Sequence, residues 1–337
     1  MSGLVVPATV VAKDQRPYIS DIPDPSLPSA VRNPDEWTLV GLLERSFLPD
    51  WDHLKDPPDS LCEMLKRDVS INVGYTTALK RTKQSAEDET SKLLRKQLFT
   101  ETFSFTALSP YYLRFTTYQY PEDKYQQGFE PDFSYSFGVA NYAPDTLSLE
   151  YANYGGNRFN PDVGEELTDL NAGTITATYR FLVPEDITRA IHPKDDAVIA
   201  GWASFNATPE WELGKWWKQW FSLGVSFPVY KDLSFWMQTN VYPIDDQEGQ
   251  GDTEFVYGFG YYDWGPGGVI LSYSNYASNS FPWGKSNKKG DFSDGSVFIG
   301  YNVDFDTLCD WFSGKKKKKK PSMKRFPWGP SRKDWGA

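Results

Sequence analysis

Residues 133–159 read FSYSFGVANYAPDTLSLEYANYGGNRF, and residues 255–281 read FVYGFGYYDWGPGGVILSYSNYASNSF. The two stretches align without a gap at an offset of 122. Eleven of the 27 positions are identical, including Phe133/Phe255, Gly138/Gly260, Pro144/Pro266, Tyr151/Tyr273, Asn153/Asn275 and Asn157/Asn279. Ordinary residue frequencies give about two. The same offset pairs Lys96-Gln97 with Lys218-Gln219, Tyr120-Pro121 with Tyr242-Pro243, and Tyr179 with Tyr301, so the repeat spans most of residues 96–303. Self-similarity at a fixed period marks a structural unit used more than once.

Inside each copy the side chains alternate with a period of two, the strand period. Phe133, Tyr135, Phe137 and Val139 alternate with Ser134, Ser136, Gly138 and Ala140, and Phe221, Leu223, Val225 and Phe227 alternate with Ser222, Gly224 and Ser226. Twelve such segments are expected, near 68–79, 98–109, 111–121, 132–143, 146–155, 173–183, 197–207, 220–229, 232–243, 253–264, 268–278 and 295–305. Their length suits a tilted membrane-crossing strand better than an average soluble one. Short links at 109–110, 143–146, 230–231 and 265–267 alternate with long polar ones, apart from a medium link at 184–196. This is the asymmetry of outer-membrane barrels, with short periplasmic turns and long external loops. The fold class expected is therefore all-β: an antiparallel transmembrane barrel of about twelve strands, formed by internal duplication of a six-strand unit. A pair of soluble β-sandwiches, each a carbohydrate-binding module, is the alternative the strand pattern leaves open.

Composition agrees with a barrel. Tyr 20, Phe 22 and Trp 13 make the chain 16% aromatic, yet no window approaches the roughly 18 apolar residues of a membrane helix. Two Cys and two His are too few for a structural zinc cluster, so neither a metal nor another cofactor is expected. Residues 315–337 carry ten basic side chains against one acidic, within a chain of net charge −10. An acidic body with a basic tail argues against nucleic acid as a partner. The start, Met1 to Val11, lacks a basic region ahead of an apolar core, so it does not read as an intact signal peptide; export information removed from this numbering is the expectation.

Three regions follow. Residues 1–67 form a Pro-rich periplasmic segment with a short helix near 37–47, expected as a plug inside the barrel or as a docking element for a periplasmic protein. Residues 68–305 form the barrel, with repeat copies at about 68–183 and 197–305. Residues 306–337 hold a short helix and the basic tail, whose stretch 315–333 is suited to anionic lipid head groups or a periplasmic protein partner.

Glu130-Pro131 opens a strand that alternates to Tyr142; a short turn then leads to Tyr151 through Pro161, with Asn157-Arg158 and Asn160-Pro161 near the loop. This stretch resembles the middle of the outer-membrane phospholipase A family, itself a twelve-stranded barrel. The resemblance implies a lipid-facing histidine, oriented by an asparagine, with a nucleophilic serine two residues on. Those positions fall at Asn153 and Gly155 here, and in the second copy at Asn275 and Ala277. Acyl transfer needs a hydroxyl or thiol beside a base. Neither copy supplies one, so no catalytic residue is expected and an enzymatic role is disfavoured.

The remaining candidates come from strand parity. Arg114, Glu150 and Arg180 fall on the lumenal face among small polar residues, either as an anion-biasing set or as an ion-pair network that closes the barrel. Trp211, Trp216, Trp217 and Trp220 read as an interfacial aromatic girdle. The cluster Asp245, Asp246, Glu248, Asp252 and Glu254 reads as a solvated acidic loop. Cys62 and Cys309 lie in matching contexts just before the first strand and just after the twelfth, and barrel closure makes those strands neighbours. A disulfide stapling the seam is expected. The function expected is a bacterial outer-membrane barrel surrounded by lipid, acting as a narrow small-solute channel or a structural anchor. A phospholipase-like hydrolase and a soluble tandem carbohydrate-binding protein are the alternatives.

Overall fold

The computed structural model describes residues 38–49, 58–82, 94–121, 126, 130–162, 166–191, 199–209, 218–230, 233–244, 248, 252–276, 279–281 and 291–312. The alternating stretches pair in chain order. Twelve antiparallel strands result: β1 (Val69–Thr82), β2 (Leu94–Leu108), β3 (Tyr111–Gln119), β4 (Phe133–Val139), β5 (Thr146–Asn153), β6 (Thr174–Leu182), β7 (Ala200–Thr208), β8 (Lys218–Tyr230), β9 (Leu233–Val241), β10 (Phe255–Tyr262), β11 (Val269–Asn275) and β12 (Ser296–Asn302). β1 pairs with β12 from Asn72↔Asn302 to Ala78↔Ser296, so the sheet closes on itself with no free edge. The Asn72 amide donates to the Asn302 side-chain oxygen at 2.8 Å across that closure. A single closed ring rules out the tandem β-sandwich alternative.

Strand lengths depart from the uniform ten to twelve residues that periodicity predicts. β1 and β2 run on as a long hairpin, whereas β4 and β11 are seven residues each. Alternation reports which face a residue occupies. It does not report where its backbone loses a partner.

Side-chain parity divides the wall cleanly. Outward positions leave large apolar groups exposed, among them Phe103 at 44%, Leu113 at 52%, Phe137 at 47%, Leu149 at 47%, Phe221 at 51% and Leu271 at 50%. A soluble protein buries such a band. Many inward positions are polar and laced together: Thr102 meets Thr116 at 3.0 Å, Thr178 meets Ser204 at 2.9 Å, and Asn206, Ser222 and Asn240 form a chain across three strands. Each bond satisfies a group that would otherwise be stranded inside the wall.

Among the described residues, four helices sit at the end with the short turns: α1 (Leu39–Phe47), α2 (Leu61–Asp68) before β1, α3 (Glu185–Ile191) in the link between β6 and β7, and α4 (Phe305–Phe312) after β12. No helix among the described residues is long and apolar enough to cross a membrane. α1 is not a plug. It packs against β5 at the rim, through its carbonyls and Ser46.

Candidate functional site: a passage along one inner wall

The small polar interior predicted from parity is correct for only half the lumen. Trp236, Val256, Tyr262, Ile270 and Phe298 form a buried cluster on the inner face of β9–β12, with Trp202, Trp264 and Tyr276 packed against it. Glycines on the same inner face make room for these rings. A Cβ at Gly258 would lie 2.7 Å from the Trp236 indole, and one at Gly300 would lie 2.6 Å from the Phe298 ring. The wide aromatic side chains therefore fill one side of the barrel.

The other side stays open. A cavity of about 810 Å³ follows the inner wall of β12, β1, β2 and β3. Its lining runs from Leu98, Tyr118 and Ser296 near the long-loop end to Lys66, Asn302 and Asp304 at the short-turn end. Hydroxyls of Thr76, Thr100, Thr102, Ser104 and Thr116 line the stretch between. The cavity extends along most of the barrel height, with Phe298, Tyr276 and Trp264 on its other side.

The three charged side chains expected in the lumen do not form one group. Arg114 lines the cavity, 93% buried, with its Nε donating to the Ser104 hydroxyl at 3.3 Å and its guanidinium over the Tyr112 ring at 5.2 Å. Tyr112 in turn donates its hydroxyl to the Glu150 carboxylate, so a tyrosine bridges the interval between the arginine and the glutamate. Arg180 lies off the cavity. It donates to the Ser148 hydroxyl at 2.7 Å and to the Asn141 carbonyl at 3.3 Å, and stacks over Tyr142 at 4.6 Å.

Asn153 occupies an outward position yet is fully buried. Its amide donates to the Asp169 carbonyl at 2.6 Å and the Tyr151 hydroxyl at 3.0 Å, while Tyr151 donates to the Leu170 carbonyl at 2.6 Å. Together they clamp the 3-10 turn Leu170–Ala172 of the long loop against β5. Gly155 follows in the bend beyond the strand. The same contacts recur 122 residues on: Asn275 donates to the Asp291 carbonyl at 2.8 Å and to the Tyr273 hydroxyl at 3.2 Å, and Tyr273 donates to the Phe292 carbonyl at 2.7 Å. The ion pair Lys96–Glu130 and the pair Lys218–Asp252, at 2.5 Å, stand at the same offset. Asn153 and Asn275 thus hold the long loops that follow their strands.

Two carboxylates belong to these loop ends. Burial raises the Asp132 carboxyl, but hydrogen bonds from Gln126, the Phe159 amide and Arg158 outweigh it and hold the group below the usual carboxylate range. Asp291 is also held low, through hydrogen bonds from the backbone and side chain of Ser293. In the acidic cluster, Asp252 is taken by Lys218, and Glu254 accepts from the Phe281 amide at 2.5 Å. Asp245 and Asp246 lie outside the described residues.

Cys62 on α2 and Cys309 on α4 form a disulfide, and Lys66 adds an ion pair to Asp306 at 2.8 Å beside it. Trp220 corrects the girdle reading: it is 96% buried, on the inward face of β8, and packs near Tyr242 at 6.3 Å between ring centres. Its neighbour Phe221 faces out instead. Trp211, Trp216 and Trp217, the Pro-rich stretch 14–36 and the basic tail 315–333 lie outside the described residues.

No protein-family model and no curated protein sequence matches this chain. Among solved structures, the chain is similar to an outer membrane channel from Pseudomonas putida F1 at 11% identity. The match covers 74% of this chain and 98% of the other, with a TM-score of 0.34.

Proposed function

We propose that this chain is a bacterial outer-membrane barrel that conducts small solutes through the off-centre passage along β12, β1, β2 and β3. The carrying observation is the pairing of an exposed apolar outer face with a hydroxyl-lined cavity that runs most of the barrel height. Closure satisfies every wall strand internally, which is what a sheet requires in lipid. The cavity is much smaller than a general porin lumen, so the solutes are single small molecules or ions rather than oligomers. Arg114 gives the wall a positive site and biases the passage toward anions. The contacts that recur at an offset of 122 support reading the two halves as copies of one six-strand unit. Asn153 and Gly155 lack a nucleophile and a base, which supports a non-enzymatic barrel.

The test is stepwise conductance of the purified protein in planar bilayers, together with heat-modifiable migration of the detergent-folded form. Small discrete steps with a reversal potential on the anion side support the proposal. Silent bilayers containing a folded, heat-modifiable protein sink the channel and leave a structural anchor.

A further inference from the structure

Helix α1 is amphipathic, but it is turned the wrong way for a helix of a water-soluble surface, which would bury its apolar face. It meets the barrel through Ser46 and two backbone carbonyls of its last turn. Ser46 is fully buried, and its hydroxyl accepts from the Leu147 amide at 2.8 Å while donating to the Leu42 carbonyl at 2.6 Å. The Arg45 carbonyl accepts from the Asn141 amide at 2.9 Å, and the Phe47 carbonyl accepts from the Tyr111 hydroxyl at 3.0 Å. Leu39, Val40 and Leu43 are left uncovered, exposed at 71%, 63% and 42%. At helical spacing these three and Phe47 fall within an arc of about 100°.

The place where α1 docks completes the argument. Tyr111 and Leu147 are the outward residues of β3 and β5 nearest the short-turn rim, directly below the exposed Leu113 and Leu149. The apolar face of α1 therefore continues the outer apolar band downward. A nine-residue helix is about 13 Å long, far too short to cross a bilayer. It can only lie along the interface, with its charged Glu44 at the edge of the apolar arc.

We infer that α1 is an interfacial membrane helix: its Leu39, Val40 and Leu43 face contacts the acyl chains of the leaflet at the short-turn end, beside the barrel wall. This rests on the reading that the barrel spans a membrane. The polar bonds to Asn141, Leu147 and Tyr111 set the helix at the rim, and the lipid covers what those bonds leave open.

Site-directed spin labelling separates this inference from the membrane reading. The native cysteines are bonded to each other, so under non-reducing conditions an added cysteine is the labelled thiol. The full-length protein is reconstituted into phosphatidylethanolamine/phosphatidylglycerol vesicles with a label at Leu43→Cys, at Leu113→Cys on the barrel belt, or at Asn171→Cys in a long loop. Relaxation by lipid-soluble oxygen is compared with relaxation by a water-soluble nickel chelate. The expected result is oxygen dominating at positions 43 and 113 and nickel dominating at 171. Oxygen dominating at 113 with nickel dominating at 43 overturns the inference and leaves the membrane reading standing. A label at 43 shielded from both reagents, with dipolar broadening from a second label, also overturns it by showing a second copy on that face. Nickel dominating at 113 removes the membrane reading itself, and the inference with it.

Discussion

Cys62 of α2 is bonded to Cys309 of α4, their Cα atoms 6.0 Å apart although 247 residues separate them in sequence. The bond joins the two helices that flank β1 and β12, the strands whose pairing closes the ring. Replacing both residues by serine removes a link that constrains the unfolded chain, at a cost of about 2–5 kcal/mol for a native disulfide. The expected outcome is a lower midpoint in denaturant titration of the micelle-bound protein, with the heat-modifiable band retained. An unchanged midpoint sinks this prediction, because it means that the β1–β12 ladder already supplies the whole constraint.

Arg114 and Arg180 give an internal comparison for ion selectivity. Only Arg114 borders the passage; Arg180 is engaged with Ser148 and, one layer behind the lining, with the lining residues Asn141 and Tyr142. Arg114→Gln is therefore expected to shift the reversal potential of single channels in a salt gradient toward cations. Arg180→Gln should shift it less. Equal shifts from both substitutions would mean that the solute path is not the cavity along β12–β3.

Asn153 and Asn275 hold their long loops by the same set of bonds. Losing one side-chain amide leaves a buried carbonyl without its donor, which costs about 1–3 kcal/mol. Asn153→Ala should speed amide exchange around 169–173, and Asn275→Ala around 291–295, each without affecting the other loop. Exchange that rises in both loops from either single substitution would contradict two independent clamps.

The fold is legible because an apolar outer face and an inner face rich in small polar residues impose a period of two along the strands. Phe137, Leu149 and Phe221 announce the outer face in sequence, and their exposure follows. The interior was less legible. Trp202, Trp236 and Phe298 occupy inward positions that parity alone assigns to a small, polar lumen, and the signal lay in the glycines paired with them: Gly224 beside Trp202, Gly258 beside Trp236, Gly74 and Gly300 beside Phe298. Tryptophan suits a membrane interface by composition, which points Trp220 to the girdle, whereas strand parity sets it on the face opposite to Phe221, where it is buried. Asn153 was placed on the correct face, but the loop that covers it comes from residues 168–172 and is invisible to local periodicity.

Acid should loosen the long-loop end. The folded pKa values of Asp132 and Asp291 are depressed, so their contribution to stability is present above the ordinary carboxyl range of about 4. It is lost as pH falls through the lower folded values. Asp132 ties Gln126, Arg158 and the Phe159 amide together, so its protonation slackens the link between the β3–β4 and β5–β6 loops. Limited proteolysis with an acid-active protease should cut these loops faster at pH 3 than at pH 5. In Asp132→Asn the β5–β6 loop should be cut at nearly equal rates at both pH values, whereas a wild-type pH response in that variant would remove Asp132 from the account.

Phe298 separates the filled half of the lumen from the open half, since it belongs to the buried aromatic cluster and also lines the passage. Its ring rests against Gly300 on its own strand and Gly74 on the neighbouring one. A methyl at position 300 would sit 2.6 Å from a ring carbon, too close to hold, and 3.4 Å from the Asn72 amide, so the ring is the part that moves. The open space lies on the passage side. Gly300→Ala is therefore expected to lower single-channel conductance and to cost about 1–3 kcal/mol of stability, as overpacking does. Phe298→Ala should raise conductance, and the double variant should recover it, because the displaced ring is then absent. Gly258→Ala supplies the control: it crowds Trp236, which does not border the cavity, so it should lower stability and leave conductance alone. If Gly258→Ala blocks current as strongly as Gly300→Ala, the solute path runs through the aromatic side of the barrel instead.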